Sequence, residues 1–182
     1  MGVSGGFSMN LKLRSEVMRA NDSNILYVAR NLVCTGSNAF DTGFAPFSSA
    51  NIDKNFKITI RLASVGTLTA QEVFLGCKYE GTLNGLSYPG IYFRRNGSTQ
   101  NADIGGYNYY QVAISTLLGK NLYIWRQSGN WYAQIEGDTQ RTLSVRSTTF
   151  DQNIVIGAGV QTNGTYFRYS HCNIDYVRIE LI

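Results

Sequence analysis

LVCTGSNAFDTGFAPFSSANIDKNFKITIRL, running from Leu32 to Leu62, ends in seven residues of unbroken alternation. Phe56, Ile58, Ile60 and Leu62 fall on one side of an extended chain; Lys57, Thr59 and Arg61 fall on the other. A strand with one dry and one wet face belongs in an antiparallel sheet that packs on one side only. Ahead of it, Gly36-Ser37-Asn38 is turn chemistry, and Phe40-Asp41-Thr42-Gly43 is a second short extended piece that runs into a polar loop.

The same alternation recurs on either side of this stretch. Candidate strands cover 32–35, 39–44, 56–63, 71–79, 88–94, 109–115, 121–126, 131–136, 141–147, 153–160, 166–171 and 174–182. Asn84-Gly85, Asn96-Gly97 and Asn163-Gly164 tolerate positive φ and suit tight reversals. Ser128-Gly129-Asn130 separates Leu122–Arg126 from Trp131–Ile135, which predicts a hairpin. Gln111 to Leu118 is ambiguous in period, and its β-branched residues favour a strand. Short strands at regular spacing, with no helical period of useful length, predict an all-β two-sheet sandwich rather than βαβ units. The composition agrees: 19 Gly, 12 Tyr and 9 Phe against 2 Pro suit turns and pleated surfaces. At 182 residues the chain is most simply one domain, large enough to fold without staples.

Several functions are disfavoured. The net charge of +4 is mild and the cations are scattered, with Arg94-Arg95 a lone basic pair, so no nucleic-acid partner is expected. No apolar run is long enough for a helical membrane span, and MGVSGGFSMNLKLRSE lacks the pattern of a secretory signal. Gly2 with serines nearby loosely approaches a myristoylation pattern, for which a Gly/Ser-rich start is the simpler reading. Cys34, Cys77 and Cys172 are an odd set and read as inert buried thiols. His171 and Cys172 are neighbours in an expected strand, where adjacent side chains point apart, so they do not make a shared zinc site, nor do Ser170 and His171 make a catalytic pair. Glu136 and Asp138 flank Gly137 at an expected hairpin tip. Paired carboxylates for glycoside cleavage are therefore not found, and the chain is expected not to be an enzyme.

The order of the pieces resembles a concanavalin A-like, laminin-G-like jelly roll. Phe40–Gly43 with Phe56–Leu62 is similar to the opening of that family. Asn121–Arg126 with Trp131–Gly137 is similar to its central hairpin, Asn153–Gly159 to a later strand, and Cys172–Leu181 to its closing strand. Asn173 stands where the family usually has Gly. The resemblance covers about residues 32–182 and implies a jelly-roll sandwich. A Met-initiated chain of this kind also looks like the versions found in bacteriophage structural proteins. That likeness implies a non-catalytic structural or adhesive module on a virion (tail, fibre or capsid appendage) that works through contacts with other virion proteins or with itself. The alternative it implies is a lectin-like domain for cell-surface glycans. A rim calcium ion is the one cofactor the resemblance suggests, with Asp41, Asp53 and Asp103 as candidate ligands; no other cofactor is expected.

The candidate surface for a glycan or a protein partner is drawn from two aromatic stretches: Tyr88, Arg94 and Arg95 in the first, Tyr107, Tyr109 and Tyr110 in the second, with Asp103 between. Aromatic faces beside hydrogen-bonding groups suit sugars, Tyr and Arg also suit protein interfaces, and the same residues could simply pack the sheets. Residues 1–30 differ from the rest and are expected to be either an arm that mediates assembly or an edge strand of the sandwich over 31–182.

Overall fold

The computed structural model describes residues 23–67, 71–78, 82–87, 89–97, 99–160 and 165–182. In chain order the strands are β1 (Ile25–Thr35), β2 (Phe40–Asp41), β3 (Phe56–Val65), β4 (Glu72–Lys78), β5 (Thr82–Leu83), β6 (Leu86–Ser87), β7 (Gly90–Arg95), β8 (Asn101–Gly105), β9 (Tyr109–Ala113), β10 (Asn121–Gln127), β11 (Asn130–Ile135), β12 (Arg141–Leu143), β13 (Val155–Ile156), β14 (Gly159–Val160), β15 (Tyr166–Phe167) and β16 (His171–Leu181). One 3-10 turn, Ile114–Thr116, is the helical piece among the described residues.

Sheet A has the order β1-β16-β3-β10-β11-β12 and sheet B the order β2-β13-β4-β7-β8-β9. The paired strands of both sheets are antiparallel, and the two sheets form a jelly-roll-like sandwich. The alternation at Phe56–Leu62 becomes β3, with Phe56, Ile58, Ile60 and Leu62 sealed in the core. Phe74, Leu75, Phe93 and Ile104 meet them from sheet B. At one end of the core, Phe47 stacks on Trp131 at 5.4 Å and on Phe150 at 4.8 Å, while Phe56 meets Phe44 and Trp131 edge-on. The buried Arg126 ties the 51–55 loop to this cluster: Nε donates to the Lys54 carbonyl at 2.9 Å and a terminal nitrogen donates to the Asn51 carbonyl at 2.6 Å. Burial pushes its guanidinium below the usual arginine range.

Several expected boundaries move. Ile25–Arg30 is not separate from the sandwich: it begins β1, which pairs along β16 at the edge of sheet A. The strand expected over 109–115 stops at Ala113, where Thr116 folds back on the Ala113 carbonyl and the 3-10 turn begins. The piece expected over 141–147 keeps its ladder for three residues. The segment 153–160 splits at Gly157, whose φ of +85° turns the chain. The break expected between 171 and 174 does not occur; β16 runs through it with register shifts between Asn173 and Tyr176. Strand β8 forms where the sequence predicts no strand. The Ser128-Gly129 reversal is as expected, with φ of 51° and 78°, and so is Asn84-Gly85 with 50° and 77°. Asn163-Gly164, Tyr88 and residues 1–22 lie outside the described residues.

Candidate functional site

The outer face of sheet B is where three of the sequence-predicted residues, Arg94, Asp103 and Tyr109, meet. Cross-strand register places Val73, Arg94, Asp103 and Gln111 in one row over β4, β7, β8 and β9, and Gly76, Tyr92, Gly105 and Tyr109 in the next. Asp103 is fully buried, and three donors surround its carboxylate. Arg94 Nε donates to Oδ2 at 3.2 Å, Gln111 Nε2 to Oδ1 at 3.1 Å, and Asn96 Nδ2 to Oδ1 at 3.4 Å. A buried carboxylate held this way is tolerated because its charge is paired and its lone pairs are filled. The Arg94 side chain keeps 15% of its surface in solvent. With no side chain at Gly105 between the two rings, its guanidinium lies 4.4 Å from the Tyr92 ring centroid and 5.9 Å from that of Tyr109. Since Nε is used on Asp103, the two terminal nitrogens of Arg94 are the ones left to donate outward.

The β14–β15 hairpin walls one side of this face. Val155, Ala158 and Val160 form a small apolar cluster of their own, with Tyr166 and Tyr169 packed against it. Arg168 follows the hairpin with φ of 51°, and its carbonyl accepts the Val73 N–H at 3.0 Å. Arg94 and Arg168 thus line one cleft with Tyr92, Gly76, Gly159 and Phe167. At about 20 Å³ the cleft has room for a water-sized group only. A wider groove of about 200 Å³ opens beyond Tyr109, where β9 meets β12, and is lined by Tyr109, Tyr110, Arg141 and Ser144. The Tyr110 hydroxyl donates to Asp138 Oδ2 at 3.3 Å; burial and then the Asp138 charge push that hydroxyl above the usual tyrosine range.

Arg94, Asp103 and Tyr109 are therefore brought together, and Tyr110 sits on the adjoining groove. Arg95 is not part of this face. As the next residue along β7 it points the opposite way, is buried, and donates to the Thr99 and Gly66 carbonyls. Tyr107 lies further along, its ring 3.2 Å from the Arg146 guanidinium. Tyr92, Asn96, Gln111 and Arg168 belong to the surface beyond the residues expected from sequence. Period two from Tyr109 leads to Gln111; nothing local points to Arg168, which a hairpin from elsewhere delivers.

The other chemical candidates separate. Asp41 Oδ1 accepts the Gly43 N–H at 2.8 Å and Oδ2 accepts Asn153 Nδ2, Asp53 lies in an exposed turn, and Asp103 is engaged as above. Among the described residues no three His, Cys, Asp or Glu side chains come together as a metal site. His171 points out of the sheet and pairs through Nδ1 with Glu72 at 3.0 Å, whereas Cys172 points in and faces Cys34 across β1 and β16. Burial pushes the Cys77 thiol well up. Glu136 caps the neighbouring strand by accepting the Asn121 N–H at 3.0 Å.

No family model matches the sequence, and no curated protein matches it. Solved structures do. The chain is similar to the NanB sialidase of Streptococcus pneumoniae in a mutant form, with a TM-score of 0.59 and 9% identity over 87% of this chain and 27% of that one. It is similar to the CBM40 of the Ruminococcus gnavus IT-sialidase bound to α2,6-sialyllactose, with a TM-score of 0.53 and 11% identity over 86% of this chain and 92% of that one. Trypanosoma rangeli sialidase gives 0.52 and 9% over 90% of this chain and 29% of its own length. The chain thus spans under a third of the two sialidases and nearly the whole of the binding module. At such identities the likeness is one of fold, a β-sandwich. Neither the laminin-G likeness nor the virion setting expected from sequence has a counterpart in these three.

Proposed function

We propose that the domain is a lectin-like carbohydrate-binding module that takes an anionic sugar on the open face of sheet B, without turnover. The observation that carries this reading is the Arg94–Asp103–Gln111 row framed by Tyr92 and Tyr109. A guanidinium fixed from behind by a buried carboxylate is preorganised, so little side-chain freedom is lost when it binds. Its free nitrogens suit a carboxylate oxygen, the part of such a sugar that a cleft of about 20 Å³ admits while the ring stays on the open face, with Arg168 on the same cleft as a second cation. The exposed ring of Tyr109 offers a π face to the C–H side of a pyranose, while the buried Tyr92 ring supports the Arg94 guanidinium from below. The likeness to a module bound to sialyllactose supports the same reading. Such a domain would serve a virion appendage that attaches to a cell surface, the setting expected from the sequence.

Calorimetric titration with α2,6-sialyllactose and with lactose tests the proposal. The acidic sugar should bind and lactose should not, and no lactose should be released. Arg94→Ala should weaken binding by about tenfold or more. Equal affinity for both sugars, or binding untouched by Arg94→Ala and Arg168→Ala together, would refute it.

A further inference from the structure

The outer face of sheet A carries a second arrangement, on the side of the sandwich away from Arg94. Register across its strands builds two rows of outward side chains. One runs Glu180, Lys57, Trp125, Tyr132, Thr142; the other runs Arg178, Thr59, Tyr123, Gln134. The cations of these rows are engaged in ion pairs, two of them on one carboxylate. Lys57 Nζ lies 3.1 Å from Glu180 Oε1, Arg178 lies 2.5 Å from Glu180 Oε2, and Arg61 lies 3.7 Å from Asp175. Moving toward β10 and β11, the face turns uncharged: two tyrosines, a tryptophan and an amide. Trp125 stacks on Tyr132 at 5.3 Å, which fixes its ring. Between Tyr123, Trp125, Gln134, Lys57 and Ile182 lies a groove of about 300 Å³, the lower end of the range for small-molecule sites.

We propose that this groove is a second carbohydrate site, for a neutral pyranose chain. The π faces of Tyr123 and Trp125 are electron-rich and attract the slightly positive C–H side of a sugar ring. Gln134, fixed by Nε2 donating to the Asp138 carbonyl at 2.8 Å, keeps Oε1 to accept from the hydroxyl groups at its edge, with Lys57 at the rim. The one cation among the residues lining the groove, Lys57, is engaged by Glu180, so an anionic ligand would have to compete with that carboxylate. The ligand class is therefore opposite to that of the sheet B face, and the site stands on different residues, so either can fail without the other.

The chain has two tryptophans, Trp125 on this groove and Trp131 buried at 2% exposure, so emission changes on binding report on Trp125. The full chain is titrated with cellohexaose, mannohexaose and β1,4-galactohexaose, followed by tryptophan emission and by calorimetry. At least one should give a saturable shift that is indifferent to salt. Tyr123→Ala and Trp125→Ala should each weaken calorimetric binding by about tenfold, while Trp125→Phe retains most of it and Arg94→Ala has no effect. If Trp125→Ala lowers the melting temperature sharply, Gln134→Ala and Tyr123→Ala carry the comparison. Failure of all three sugars to bind overturns the proposal. So does binding that Arg94→Ala removes and Tyr123→Ala leaves intact, or a shift in emission with protein concentration alone, which would mean that a second copy covers the groove.

Discussion

Asp103 shows how one side chain can set a surface it does not itself reach. It is fully buried, and Arg94, Gln111 and Asn96 all donate to it. Asp103→Asn keeps the volume but removes the charge and turns one acceptor into a donor that faces Arg94. Breaking a fully buried pair costs about 3–5 kcal/mol; because Arg94 keeps some contact with water, about 2 kcal/mol is expected here. Thermal unfolding should show that loss, and sialyllactose affinity should fall with it, since the guanidinium loses its anchor. Gly106 is a second such residue, for steric reasons. A Cβ there would come within 2.5 Å of the Gly90 carbonyl oxygen and 3.1 Å of Val145 Cα, both backbone atoms that cannot swing aside. Gly106→Ala should therefore cost about 2–4 kcal/mol, the range of strongly disruptive core changes.

At the scale of elements, the β10–β11 hairpin isolates backbone cost from packing cost. Gly129 has φ of 78°, and no atom lies within 4 Å of the place a Cβ would take, so Gly129→Ala meets only the penalty of a left-handed conformation. That is about 1 kcal/mol, or roughly 2–4 °C in melting temperature for a domain this size. A drop as large as that of Gly106→Ala would show that the turn does more than reverse the chain. The same elements explain what is legible in the sequence. β3, β10 and β11 alternate cleanly because one face is core and the other is water, so period and turn chemistry locate them. β8 escapes such a reading because Asn101-Ala102-Asp103-Ile104-Gly105 is short, has only Ala102 and Ile104 as apolar positions, and otherwise consists of poor strand formers. Its pairing is sustained by β7 and β9 on either side, and by the donors that meet Asp103. The candidate site is legible in part for the same reason. Arg94, Asp103 and Tyr109 are close in sequence and stand out chemically, but their union depends on β8 being a strand. Arg95 departs from its neighbour because adjacent residues of a strand face opposite ways. In sequence Trp125 and Tyr132 are two parts of a hairpin, and only register shows that they share a face.

For the whole molecule, the two edges of sheet A are unlike. Among the described residues, one edge is β12, three residues long; the other is β1, eleven residues long and paired along β16 on one side only. A long edge strand offers unpaired backbone groups to any added strand. The arm expected of the first residues would find its natural seat there, on another copy or on a partner protein, with backbone hydrogen bonds supplying affinity. The sandwich itself needs the chain from Asn24 onward, because the Leu181 N–H donates to the Asn24 carbonyl at 2.8 Å and β1 contributes Ala29, Leu32 and Cys34 to the core. Two truncations separate these roles. Removing residues 1–22 should leave the melting temperature within about 2 °C, the scale of surface changes worth about half a kcal/mol. Sedimentation of the same protein should show reduced self-association if the arm works as proposed. Removing residues 1–30 strips the first half of β1 and uncovers β16, so stability should fall by several times that amount or the protein should become insoluble. An unfolded 1–22 truncation would make those residues part of the sandwich and end the arm hypothesis, and a folded truncation that associates like the full chain would place the assembly contact elsewhere.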